Sequence, residues 1–198
     1  MGRTSTARER LVEATGELMG SRGYAALGVA EICARAEVKK GSFYYFFESK
    51  QALTVEVVNA YWDAQRARWT AALSADAPAL DRLRDVLAGP AAVQRSAKES
   101  SGNVVGCLLG NLALELSTQE PDVRARLDGI FDEQTALIEG VLAEAAAEGA
   151  IPADRTGTGP ARAVIAQLEG LVLLAKLKND PAVLDGLWPQ VRMLLGAV

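Results

Sequence analysis

Between Lys39 and Lys50 the chain gathers groups suited to a polyanion: Lys39, Lys40, Gly41, Ser42, Tyr44, Tyr45 and Lys50. Lysine ammonium groups neutralise phosphates, hydroxyls bond base edges or phosphate oxygens, and a glycine lets another surface approach the backbone. If the stretch is helical, Phe43 and Phe47 share one face at i, i+4 and point inward. Gly41 and Tyr45 then lie on the opposite side, flanked by Ser42 and Tyr44. The bland alternative for the three lysines is a solvated helix face.

Other chemistries find little support. The chain has no histidine, which removes His-based triads, zincin sites and imidazole acid/base work. Cys33 and Cys107 are 74 positions apart, too far for a CxxC redox or zinc pair, and read as two reduced thiols. No spacing singles out two carboxylates for general acid/base work, so no catalytic residues, metal or cofactor are expected. Charge is uneven: residues 1–50 carry eight Lys or Arg against six Asp or Glu, and residues 51–198 carry thirteen against nineteen. A mildly basic end on an acidic body suggests that the N-terminal part meets a polyanion. An enzyme and a purely protein-binding helical adaptor remain as alternatives, and a gel shift with duplex DNA separates both from a DNA-binding protein.

These residues need elements to position them. The 198 residues are 49% apolar, 23% charged and 6% aromatic, enough for a core burying about 70% of the unfolded surface. No run reaches the ~18–20 apolar residues of a membrane span, and no signal peptide opens the chain, so a soluble cytoplasmic protein is expected. The pattern throughout is helical, with no sustained period-two alternation. Three short helices are predicted at Ser5–Ser21, Val29–Ala36 and Lys40–Phe47, with Glu37-Val38-Lys39 as the turn between the last two and Val38 as its apolar plug. Ser49 should cap a fourth helix ending near Leu73. Five more are predicted at Ala79–Ser96, Gly106–Ser117, Asp122–Glu148, Gly159–Leu177 and Pro181–Gly196, with Ser96–Asn103 and Asp154–Gly159 as surface loops. The expectation is an all-α fold of about nine helices, with a helix-turn-helix arrangement within residues 1–50 and further helices in residues 51–198.

Arg10–Met19, Gly23-Tyr24, Val29–Ile32, Val38–Phe47 and Ser49-Lys50 together resemble the tetracycline-repressor family of bacterial transcriptional regulators. The resemblance covers about the first 60 residues in order, spacing and residue type. It departs from the family at four places. Leu27 and Gly28 stand where hydroxyl residues are usual, Glu37 replaces the turn glycine, Lys39 replaces a hydroxylated N-cap, and Phe46 stands where a histidine is common. A missing cap removes about 1 kcal/mol of helix stability. The resemblance implies a repressor that binds a palindromic operator in double-stranded DNA through Lys39, Lys40, Gly41, Ser42, Tyr44, Tyr45 and Lys50. Arg3 and Arg8 are expected in or near a flexible arm that reaches DNA.

The resemblance further implies a helix-turn-helix DNA-binding domain at residues 1–50, a regulatory, ligand-binding and dimerisation domain at residues 51–198, a homodimer through the last two helices and release by a small-molecule or electrophile effector. Leu168, Leu171, Val172, Leu174 and Ala175, around Gly170, and Leu184, Leu187, Trp188, Val191, Leu194 and Leu195 would supply the dimer face. Expected pocket residues are Trp62, Trp69, Cys107, Asn111, Phe131 and Gln134, each of which an ordinary core would equally explain. Gly106–Glu115 resembles the branch of the family that contains the N-ethylmaleimide-reductase repressor, where a cysteine at this position meets electrophiles. Cys107 in the first turn of a helix, with Lys176 nearby, would favour a thiolate; the competing reading is a structural thiol.

Overall fold

A computed structural model describes residues 2–197, with side chains from residue 6 onward. Nine α-helices occur among the described residues: α1 Gly2–Arg22, α2 Val29–Arg35, α3 Lys40–Phe46, α4 Lys50–Leu73, α5 Ala79–Ser101, α6 Leu108–Leu116, α7 Pro121–Ala147, α8 Thr158–Lys178 and α9 Leu187–Leu195. Short 3-10 turns fill Ala153–Arg155 and Pro181–Gly186, and no strand occurs among these residues. None of the helices is long and apolar enough to cross a membrane. The chain forms two compact units. One takes the sequence up to Ala64 together with Leu108–Gly129; the other takes Gln65–Cys107 with the residues from Ile130 onward.

In the first unit, Leu11, Met19, Ile32, Phe43 and Leu53 are essentially buried, which brings the inner faces of α1, α2, α3 and α4 into one core. Ser49 caps α4 as its sequence suggests, accepting from the Ala52 N–H at 3.0 Å. Neither α2 nor α3 has a side-chain cap: Gly28 and Lys39 stand at the N-cap positions and offer only their carbonyls, to the N–H groups of Ile32 and Ser42. The α2–α3 turn closes by a Schellman pair, Val38 N–H to Cys33 O at 2.9 Å and Glu37 N–H to Ala34 O at 3.2 Å. That motif needs a left-handed residue, and Glu37 adopts φ +53 where a glycine would be unstrained. Val38, expected as a core plug, is only half-buried.

The second unit corrects two helix boundaries. The predicted loop Ser96–Asn103 is helical as far as Ser101. Ser100 and Ser101 turn their hydroxyls back to the carbonyls of Ser96 and Ala97, each at 2.8 Å, so these residues continue the helix they were expected to end. Gly102, left-handed at φ +77, stops it. The predicted start of α6 at Gly106 is two residues early. Gln94, buried on α5, accepts from the N–H groups of Val105 and Gly106 and donates to the Gly106 carbonyl, holding that backbone outside the helix.

Most of the C-terminal apolar residues expected to face a second copy are buried within the unit. Leu168, Leu171, Val172 and Ala175 of α8 are buried within the unit, as are Leu184, Leu187, Val191 and Leu195; Trp188 and Leu194 are half-buried. Those residues pack α8 on α9 and on the 3-10 turn before it. Solvent instead meets Ala166, Gly170, Leu173 and Leu177, at i, i+4, i+7 and i+11 along α8, with Leu174 beside them and Met193 exposed on α9.

Candidate nucleic-acid interface

The seven residues of α3 divide as their spacing requires. Phe43 is fully buried and Phe47, at the C-cap, nearly so, their ring centroids 5.9 Å apart. The outward face carries Tyr44, 60% exposed, and Tyr45, 77% exposed. Each tyrosine is steadied by an edge contact, Tyr44 on Phe43 and Tyr45 on Phe46, so their hydroxyls are presented on rings with restricted freedom. Ser42 is half-buried, and Gly41 is exposed with open space where a Cβ would stand. The protein's own packing therefore does not demand a glycine there. Lys39 and Lys40 are exposed, and among the described residues no acid engages either.

The N-terminal arginines behave differently. α1 begins at Gly2, so Arg8 stands on a helix and not in an arm. Its guanidinium lies 2.9 Å from Glu56 and 5.2 Å from the centre of the Phe47 ring. Arg10 pairs with Glu37, Arg22 with Glu31 and Arg35 with Glu17. The side chain of Arg3 lies outside the described residues.

Lys50 has a role that the spacing did not reveal. Its Nζ donates to the carbonyls of Tyr24, at 3.1 Å, and Leu27, at 2.9 Å, and sits 3.7 Å from the centre of the Tyr24 ring. Burial pulls its pKa below the ordinary lysine range, against the attraction of Glu120 and Glu115. An ammonium bound to two carbonyls acts as a brace inside the unit, a role beside the expected phosphate contact. Glu115 and Glu120 were not singled out from sequence at all. Glu115 accepts from the N–H groups of Tyr24 at 2.9 Å and Ala25 at 2.7 Å; the Tyr24 hydroxyl donates to Glu120 at 2.7 Å. These pairs are ninety or more positions apart in the chain, with no local signal to announce them.

The expected effector residues do not fall in one compact unit. Trp62, fully buried, and Asn111, half-buried, belong to the first; Trp69, Cys107, Phe131, Gln134 and Lys176 belong to the second. Trp69 and Gln134 are buried, Phe131 is half-buried, and Lys176 is exposed on α8. Cys107 stands one residue before α6, not in its first turn, so it is not helically paired with Asn111. Its thiol donates a hydrogen bond to the Glu169 carboxyl of α8. Burial raises the pKa of that carboxyl and the thiol's hydrogen bond opposes the rise. Cys33, by contrast, is a core thiol with its pKa raised by burial. Among the described residues no cluster could hold a metal ion.

Comparison with known proteins gives a consistent result along the whole chain. Residues 11–57 match the family model described as bacterial regulatory proteins, tetR family, and residues 79–191 match the tetracyclin repressor-like C-terminal domain. The HTH-type transcriptional repressor DhaR of Mycobacterium sp. (strain GP1) is 33% identical over 93% of this chain and 89% of its own length. A regulatory protein TetR from Rhodobacter sphaeroides superposes with a TM-score of 0.82 at 30% identity, covering 95% of this chain and 98% of that one. The reduced form of Escherichia coli NemR superposes with a TM-score of 0.77 at 25% identity, over 97% and 99% of the two chains.

Proposed function

This chain belongs to the tetracycline-repressor family of DNA-binding transcriptional regulators, and we propose that it acts in the cytoplasm as a dimeric repressor of a palindromic operator. The observation that carries the reading is the outward face of α3. Tyr44 and Tyr45 stand clear of the core beside Lys39, Lys40, Gly41 and Ser42. In this reading Tyr45, Tyr44 and Ser42 meet base edges or phosphate oxygens, Lys39 and Lys40 neutralise phosphates, and Gly41 lets the backbone approach the groove. Lys50 holds the entrance of α2 against α4 and leaves phosphate neutralisation to the other two lysines.

A second copy would lie on the exposed stripe Ala166, Gly170, Leu173 and Leu177 together with Met193. The spacing alternates four and three residues, the seam of two helices packed nearly antiparallel or parallel, and the small pair permits close approach. Two-fold symmetry then presents two recognition helices to successive major grooves, about 34–36 Å apart or a stretched version of that spacing. Selection of duplexes from random DNA is the test. An inverted repeat supports the reading; an asymmetric site or no site overturns it.

An effector releases DNA only if it prefers a dimer whose recognition helices are badly spaced. Helix α4 begins at Lys50 beside the braced turn and carries Trp62 and Trp69 further along, which makes tryptophan fluorescence a reporter. Quenching and loss of operator binding over one concentration range support the coupling, and quenching at constant affinity refutes it. For an electrophile, the half-buried Cys107 is the accessible thiol and Cys33 the protected one. Alkylation of the native protein should label Cys107 first and weaken operator binding, with Cys107→Ser resistant. Unchanged binding after labelling makes Cys107 structural.

A further inference from the structure

The α1–α2 turn, Gly23–Gly28, is gripped from two sides. From α4, Lys50 donates to the Tyr24 and Leu27 carbonyls. From α6, Glu115 takes the N–H groups of Tyr24 and Ala25, and from the segment before α7, Glu120 takes the Tyr24 hydroxyl. Glu115 and Glu120 also supply the negative charge that Lys50 feels, so one half-buried cation and two acids gather around Tyr24. Gly23 fits this grip twice over. Its φ of +78 suits glycine, and a Cβ there would come within 3.0 Å of the Glu115 carboxylate.

The grip falls at a significant place. The turn is the entrance to α2, and Lys50, which follows α3 after only Phe47-Glu48-Ser49, is at its exit. α2 packs on both α1 and α3. Lys50 therefore ties the two ends of the helix-turn-helix together, and Glu115 and Glu120 fasten that knot to the 108–129 segment of the same unit. We propose that Glu115 and Glu120 are positioning residues for DNA binding: they touch no DNA, and they set where α3 stands when it enters a groove. The proposal rests on α3 as the DNA-contacting helix and deepens that reading by naming what holds it in place.

The sign of the effect separates positioning from simple electrostatics. Replacing a carboxylate with an amide removes a negative charge near a polyanion, which by itself strengthens binding to any duplex. Glu115→Gln also turns one of two acceptors into a donor that faces a backbone N–H, so the turn loses half its anchor. A positioning role predicts weaker binding to the specific site despite the favourable charge change.

The experiment uses the full chain and the duplex that the unaltered protein selects from random DNA. Glu115→Gln should lower affinity for that duplex about tenfold, the equivalent of losing one charge-assisted hydrogen bond, and leave affinity for random DNA unchanged or slightly higher. Reselection with the variant should return inverted repeats with altered or broadened half-site spacing. Glu120→Ala and Tyr24→Phe, which each remove only one side-chain bond, should move the same ratio of specific to random affinity in the same direction by less, and they decide the matter if Glu115→Gln does not fold. Affinity equal to or tighter than that of the unaltered protein on the selected duplex overturns the proposal. So does a parallel fall in specific and random binding that tracks the melting temperature, because that is loss of fold. If the unaltered protein selects no duplex, the DNA-contact reading itself fails before any variant is read, and the proposal falls with it.

Discussion

Helices α3 and α8 both hold large carbon-rich side chains out in water, in different company. On α3 the exposed pair is Tyr44 and Tyr45, each ending in a hydroxyl, with Lys39, Lys40 and Gly41 beside them. On α8 it is Leu173 and Leu177, in register with Ala166 and Gly170 and with Met193 exposed on the next helix. A second copy of the chain laid over α3 would bury lysines and phenols without partners, a penalty of several kcal/mol per ion in order of magnitude. The α8 stripe itself carries no hydroxyl or cation, and the basic residues of that helix, Arg162, Lys176 and Lys178, stand outside it. Exposed apolar surface thus identifies its partner by the polar groups around it, and the two helices call for different partners.

That contrast can be broken most visibly at α8. Leu177→Glu places a charge twice over in the face proposed to meet a second copy, and an unpaired buried charge costs about 3–5 kcal/mol. Sedimentation should then report a monomer whose helical content is unchanged; a persistent dimer would assign the stripe another purpose. The corresponding change on α3 is smaller. Tyr45→Ala should weaken specific DNA binding by about 1–3 kcal/mol and leave the melting temperature unmoved, since the side chain is 77% exposed. A drop in melting temperature with unchanged gel shifts would mean that the wrong face has been identified.

Two lysines sharpen the comparison within the DNA-binding region. Lys40→Met should reduce the salt dependence of DNA binding by about one unit and leave stability alone. Lys50→Met should do the reverse: denaturant unfolding should show a loss of about 1–3 kcal/mol, because two carbonyls lose a charged donor. If Lys50→Met alters the salt slope instead, the lysine is reaching phosphate and not the turn. The smallest effect belongs to Glu37. Glu37→Gly relieves the left-handed strain at φ +53 and should stabilise the chain by about 0.5–1 kcal/mol, measured by thermal melting, with operator affinity unchanged.

Much of the DNA-binding region was legible because its information is local. Phe43 and Phe47 are four residues apart, so their inward turn decides at once that Tyr45 points out. Ser49 is a cap by virtue of the N–H three residues later. The absent caps at Gly28 and Lys39 could likewise be read off two residue types. The brace made by Lys50 was not legible, because its partners lie far along the chain: the carbonyls of Tyr24 and Leu27 are brought to it from more than twenty positions away.

The C-terminal half illustrates the limit most clearly. Its helices, their number and most of their boundaries follow from hydrophobic periodicity and from the glycines and prolines between them, because hydrogen bonding along a helix involves only near neighbours. Which face of α8 packs inside does not. That helix is apolar on more than one side, so local pattern alone allows either Leu168–Leu171–Val172 or Ala166–Gly170–Leu173 to be buried in the unit. Only packing against α9 selects between them. The same holds for Glu115 at the α1–α2 turn, for Gln94 on the strand of backbone before α6, and for Glu169 beside Cys107. The sequence alone determined an all-helical chain and the outward chemistry of α3, because those depend on spacing within a turn or two. The tertiary structure decided which buried or half-buried polar group meets which backbone, because such pairs join distant segments and their stability comes from burial that no local pattern reports.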